Sequence, residues 1–221
     1  PSADSGPAEG QPGSLTTRPQ PRQGFTLIEL TVVLAVVVTL VLILTPSVAN
    51  FINDSRAARA RTDCQTIAAA VVQFYRDTGF FPQWTAPPNG GAPSQRLQVL
   101  VSGGDFPREE TPTLWSTGRT GPLADQLLSN RPGYVLRSPS SELGWGGPYV
   151  SSELGSDPWG RHYVVNVGLL DASSGPQTMA GGLKSAVWVL SAGPNGTIDT
   201  PYDQSVLAAE LAGDDIGFRI Q

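Results

Sequence analysis

Hydrophobic positions change their spacing twice along this chain, and each change predicts a different element. From Phe25 to Asn53 there is a single ionisable residue, Glu29, and between Leu30 and Leu44 every position is apolar or threonine. A run this uniform has no polar side to offer water, so it does not read as a surface helix. With Phe25 to Ile28 added it reaches the length of about 20 residues that spans a bilayer as a helix. Beyond Pro46 the pattern becomes amphipathic. Ala60, Cys64, Ile67, Val71 and Phe74 recur three and four residues apart, with Arg56, Arg59, Asp63, Gln73 and Asp77 on the other side. That period predicts one helix from Phe25 to about Asp77, ended near Gly79 and Pro82, with its second half buried along one stripe.

After Pro82 the helical period is lost. Residues 83–148 are broken up by turn formers such as Pro87-Pro88-Asn89-Gly90-Gly91 and Ser102-Gly103-Gly104, with Leu97–Val101 and Leu123–Leu128 reading as short helices. A loop region this long is unusual in a compact domain and suggests an insertion. Strand character then appears in Tyr163–Val167 and Lys184–Ser191, rich in β-branched and aromatic residues, with Asp171–Gly182 as their connection. Gly217–Ile220 alternates and supplies a third, closing strand. The expected class is α+β: a long N-terminal helix, transmembrane in its first half, packed on a small antiparallel sheet.

Glu29 is out of place in an apolar run, where a carboxylate must find a partner or mark a function. It is also a helix-start acid, favoured by the helix dipole. Gly24 followed by Phe25-Thr26-Leu27-Ile28-Glu29-Leu30 resembles the class III signal of type IV pilins and type II secretion pseudopilins. The resemblance implies cleavage after Gly24 by a prepilin peptidase and N-methylation of Phe25. It implies that Glu29 pairs with the terminal amine of a neighbouring subunit during docking. It also implies a loosening of the helix at Pro46, where a ring replaces an N–H donor. The expected organisation is a leader over 1–24, a membrane and filament-core helix over 25–47, and a periplasmic pilin-like head over 48–221. Within the head, 48–79 is the amphipathic helix, 83–148 the variable loop region, and 149–221 the sheet with a calcium-type loop.

Charge and cysteine content narrow the function. The formal net charge is −5 with no basic run, which disfavours nucleic acid as a partner because phosphate neutralisation needs clustered Lys and Arg. Cys64 is the only cysteine, so no intramolecular disulfide can form. It reads as a small buried hydrophobe. The segment before Gly24 is rich in Pro, Gly, Ser and Gln. It lacks both the apolar content to fold and the apolar centre of a secretory signal peptide.

Two further stretches carry the resemblance towards the major pseudopilin family of type II secretion. Gly147-Pro148-Tyr149 followed by Asp157-Pro158-Trp159-Gly160 resembles that family's turn into a strand. Leu190-Ser191-Ala192-Gly193-Pro194-Asn195-Gly196, with Asp199, Asp203 and Asp214-Asp215-Ile216-Gly217, resembles its calcium loop. The resemblance places Ser191, Asn195, Asp214 and Asp215 at or near Ca²⁺, with Asp199 or Asp203 assisting and the Leu190 carbonyl as a further oxygen. Oxygen ligands of this kind suit a hard cation. An Asx-turn loop is the alternative, since Asn and Asp favour turns without any ion. Asn195 stands where the family has aspartate, one negative charge fewer. His162 is the only histidine, and no Gly-x-Ser-x-Gly elbow or zinc-type Cys/His spacing accompanies it.

The implied function is assembly rather than catalysis. Subunits anchored in the inner membrane, single-pass with the head in the periplasm, would be processed and raised into a helical homopolymeric filament. That filament would drive folded proteins through an outer-membrane secretin. The implied partners are other copies of the chain, minor pseudopilins, the prepilin peptidase and the inner-membrane assembly platform. The alternatives are a type IV pilin for adhesion, motility or DNA uptake, and a membrane-tethered periplasmic enzyme using His162 or a binding module.

Overall fold

The computed structural model describes residues 24–88, 90–152, 154–171, 175–176 and 185–220. The expected leader up to Gln23 lies outside the described residues, as do Lys184 and most of the expected connection from Asp171 to Gly182. Along the chain the elements are α1 (Leu27–Thr78), β1 (Val99–Val101), α2 (Leu114–Thr117), β2 (Thr120–Pro122), α3 (Leu123–Leu127), β3 (Val164–Val165), β4 (Leu170–Asp171), β5 (Gly175–Pro176), β6 (Trp188–Ser191) and β7 (Ile216–Arg219). Single 3₁₀ turns cover Val167–Leu169 and Val206–Ala208. By compactness the chain divides after Val48 into an N-terminal unit and a head from Ala49 onward.

In the N-terminal unit, every large apolar side chain from Phe25 to Leu44 is exposed. Among the described residues α1 is the one helix long and apolar enough to cross a membrane. The loosening expected at Pro46 does not break it, since α1 continues as one helix to Thr78. A proline removes one N–H donor, and the helical neighbours on either side carry the rest of the ladder. At the far end Gly79 takes φ 74° and its N–H donates to the Tyr75 carbonyl at 2.8 Å. That left-handed C-terminal stop costs a glycine least.

The head corrects the expected sheet. It has five strands in the order β2-β1-β3-β6-β7, and the β1–β2 pair is parallel while the other three pairs are antiparallel. Leu97–Val101 therefore ends in a strand, not a helix, whereas Leu123–Leu127 is helical as its pattern predicts. A short apolar run is ambiguous by period alone. Pairing with β3 (Leu100 opposite Val165) decides this one.

The strands are apolar at consecutive positions because both faces of the sheet are covered. Leu100, Val165, Val187, Val189 and Ile216 lie in one core with Ala60, Cys64, Ile67, Val71 and Phe74 of α1. Val99, Val164, Trp188 and Leu190 lie in a second core with Trp115, Ile198 and Tyr202. The region expected to be variable loop thus supplies two strands and, through α2, the cover for the second face. The Tyr163 hydroxyl donates to Asp63 Oδ2 on α1 at 2.7 Å. Burial, followed by that nearby carboxylate, holds the phenol well above its ordinary range.

Candidate functional site

Two places collect the predicted residues: the start of α1 and the C-terminal loop. At the start of α1, Thr26 and Glu29 form a reciprocal cap. The Thr26 N–H and hydroxyl both donate to Glu29 Oε2 at 2.9 Å, and the Glu29 N–H donates to Thr26 Oγ1 at 3.2 Å. This is the Thr-x-x-Glu capping box, which satisfies N–H groups that no helical carbonyl can reach. Gly24, Phe25, Thr26 and Glu29 line one shallow concavity. Phe25 is 91% exposed, so the peptide bond after Gly24 sits beside an accessible side chain.

The C-terminal loop is built outward from a buried turn. Asp157 is 3% exposed. Its Oδ1 accepts the N–H groups of Trp159 at 2.9 Å and Arg161 at 2.8 Å, while its Oδ2 accepts the Ser191 hydroxyl at 2.5 Å. Alternation along β6 points Ser191 to the α1 side of the sheet, where Asp157 waits. Its hydroxyl proton is therefore committed to that carboxylate, while its oxygen accepts the Gly193 N–H at 3.3 Å.

Beyond β6 the chain enters the loop through Gly193, at φ 61°, where a Cβ would collide with the Asp214 carbonyl. Only glycine permits so close an approach. The Asn195 N–H donates to Asp214 Oδ2 at 2.9 Å, and its side-chain amide donates to Asp199 Oδ2 at 3.3 Å. The Asp199 and Thr200 N–H groups donate to Asp215 Oδ2 at 3.0 and 2.7 Å. Burial outweighs these hydrogen bonds and leaves the Asp215 carboxyl raised above its ordinary range.

Comparison with known families bears on the first of these places. Residues 20–45 match the family model described as the prokaryotic N-terminal methylation motif. The chain carries a type IV pilin-like signal. The matched residues contain Gly24, Phe25, Thr26 and Glu29, the same residues that line the concavity and form the cap. The motif marks a pilin-like structural subunit, processed by a prepilin peptidase and assembled into a filament. With the exposed apolar helix it fits a single-pass membrane anchor. No curated protein and no solved structure matched in the other two comparisons.

The pilin-like head brings Asn195, Asp199, Asp214 and Asp215 into one hydrogen-bonded network. Ser191 is tied to Asp157 instead, and no hydrogen bond among the described residues joins the exposed Asp203 to the network. Leu190 lies within β6, opposite Gly217. In donor type the four networked residues fit a hard cation. Asp214 Oδ1 and Asp215 Oδ1 are buried acceptors with no hydrogen-bond donor, and a buried acceptor needs a partner. Among the described residues, no three His, Cys, Asp or Glu side chains form a metal-holding group.

His162 does not join Asp157 and Ser191. Its N–H donates to the Asp105 carbonyl at 2.9 Å, its ring meets the edge of Phe106, and its Nδ1 is buried without a partner. Sequence reasoning missed three residues that shape the loop: Arg108, Trp115 and Arg161. Arg108 and Trp115 lie in the segment that looked least structured.

Proposed function

We propose that the chain is a pseudopilus subunit of a type II secretion system. Cleavage falls between Gly24 and Phe25, the new amine of Phe25 is methylated, and the released subunit joins a filament that pushes folded proteins through a secretin. The observation that carries this reading is the methylation motif on a helix whose apolar side chains from Phe25 to Leu44 are exposed. Such a surface suits lipid first and a bundle of like helices afterwards. The Asp157-Pro158-Trp159-Gly160 turn and the Asp214-Asp215-Ile216-Gly217 end favour the secretion filament over an adhesive pilus.

Glu29 supplies the register. Left unpaired among apolar helices its charge is penalised, so an incoming subunit settles where an amine meets it. In the second place, Asp214 and Asp215, with Asn195 and Asp199 beside them, would hold Ca²⁺. The bound ion would neutralise the two orphaned carboxylate oxygens and tie the loop to the start of β7.

The test is genetic and chemical. In the native host, deleting the gene should empty the medium of secreted enzymes while leaving surface motility intact. Mass spectrometry of the membrane-extracted chain should find an N-methylated Phe25 at its start. An uncut chain overturns the processing step, and loss of motility with export preserved assigns the chain to a pilus.

A further inference from the structure

We infer that the segment from Asp105 to Trp115 is a strap that holds the C-terminal carboxylate loop in place, with Arg108 and Trp115 as its positioning residues. The loop runs from Ala192 to Asp215, and the lone cysteine of the chain leaves no intramolecular disulfide to close it. Closing so long a segment carries an entropic cost that some contact must offset.

The strap meets the loop at two points. Arg108 bridges Thr197 in parallel: its N–H donates to the Gly196 carbonyl at 2.9 Å, and its carbonyl accepts the Ile198 N–H at 2.8 Å. Trp115 is fully buried, and its indole N–H donates to the Thr200 carbonyl at 2.9 Å while its ring meets Tyr202 edge-on at 5.2 Å. Thr200 is the residue whose own N–H donates to Asp215. The Thr200 carbonyl held by Trp115 and the Thr200 N–H that meets Asp215 flank the same Cα, so fixing one restrains the other.

The strap is itself fastened at both ends. The Asp105 N–H donates to the Gly160 carbonyl at 3.0 Å, and its carbonyl accepts the His162 N–H at 2.9 Å, fixing it to the turn that follows Asp157. The Arg161 guanidinium reaches the Phe106 carbonyl at 3.4 Å and packs where a Cβ on Gly196 would sit. At the other end Glu109 accepts the N–H and hydroxyl of Thr113 and the hydroxyl of Ser116. Those contacts pin the single turn that presents Trp115. The strap therefore does inside the fold what a staple would do covalently.

Hydrogen exchange on the full chain in detergent, without metal, tests the strap directly. Trp115→Phe keeps an aromatic ring in the core but removes the indole N–H donor, and Arg108→Pro removes the N–H that meets Gly196. Each should speed exchange at Ile198, Asp199 and Thr200 by about five- to tenfold, the size of one buried hydrogen bond. Val165 and Val189 in the sheet should keep their rates. Unchanged loop rates in both variants, or an equal rise at the sheet amides, overturn the inference. A second arm adds Ca²⁺ and rests on the calcium reading above. There the variants should bind calcium about tenfold more weakly than the parent. A parent chain whose loop gains no protection from Ca²⁺ sinks the calcium reading, while the metal-free rates still decide the strap.

Discussion

Asp157 offers the sharpest test of how the head is held together. Its carboxylate is buried and accepts three hydrogen bonds, from the Trp159 and Arg161 N–H groups and from the Ser191 hydroxyl. Hydrogen bonds to a charged acceptor contribute about 1.5–3 kcal/mol each, and losing the acceptor strands three donors. Removing the charge also relieves the cost of having buried it, so the sum is less than three full bonds. We expect Asp157→Ala to cost about 3–5 kcal/mol, a fall in melting temperature of roughly 10 °C for a head of this size. Asp157→Asn should cost less, about 1–2 kcal/mol, since its oxygen still accepts the two backbone N–H groups and Ser191 can turn to accept from the amide. Ser191→Ala should cost a similar amount, and the double variant should fall short of the sum by about 1 kcal/mol or more. Urea unfolding of the full chain in detergent, followed by tryptophan fluorescence, measures all four states. A cost for Asp157→Ala below about 1 kcal/mol, or strict additivity with Ser191→Ala, refutes the account.

Three other outcomes follow from the geometry. Thr26→Ala leaves Glu29 without its reciprocal cap and should fray the first turn of α1, while Glu29→Ala should in addition abolish assembly. Sedimentation of filaments from detergent extracts separates the two, and normal assembly of Glu29→Ala refutes the docking role. Asn195→Asp adds a carboxylate beside Asp199 and Asp214 and should deepen the Ca²⁺-induced rise in melting temperature. Saturating a site a hundredfold stabilises by about 2.7 kcal/mol, so a parent chain unmoved by calcium or by chelator refutes the ion. The third outcome concerns pH. Burial pushes the phenol of Tyr149 up to about 12, and burial likewise raises those of Tyr134, Tyr163 and Tyr202. A raised folded value stabilises below the unfolded one of about 10. That stability is lost as pH climbs from there towards the folded values. Melting temperature should therefore drop steeply above pH of about 10, and Tyr149→Phe should soften the drop. A flat profile would count against the buried phenols.

How much of this was legible in the sequence depends on where each partner lies. Local features were readable: the uniform apolar run, the stripe from Ala60 to Phe74, the stop at Gly79, and the last two strands. The Thr26–Glu29 cap was also within reach, since its spacing is its signature. Features made by distant partners were not. β1 is three residues long, β2 ends in proline, and their parallel pairing spans twenty-one positions, so neither announces itself as a strand. Covering by Trp115 makes both faces of the sheet apolar, which erases the alternation that would have marked the strands. In the candidate site, Asn195, Asp214 and Asp215 were visible as oxygen-bearing turn residues. The bond between Asp157 and Ser191 was not, because neither residue differs in type from its many exposed counterparts.

The thiol of Cys64 has a practical consequence for anyone who wants to watch the filament grow. It is fully buried, its Sγ lies 3.7 Å from the Ile216 carbonyl, and burial raises its pKa far above the ordinary thiol range. Thiolate is the form that reacts with maleimides, and a thiol so placed supplies almost none at neutral pH. A second cysteine introduced on the exposed surface can therefore take a fluorophore or spin label selectively, with the native residue left in place to fill its part of the core.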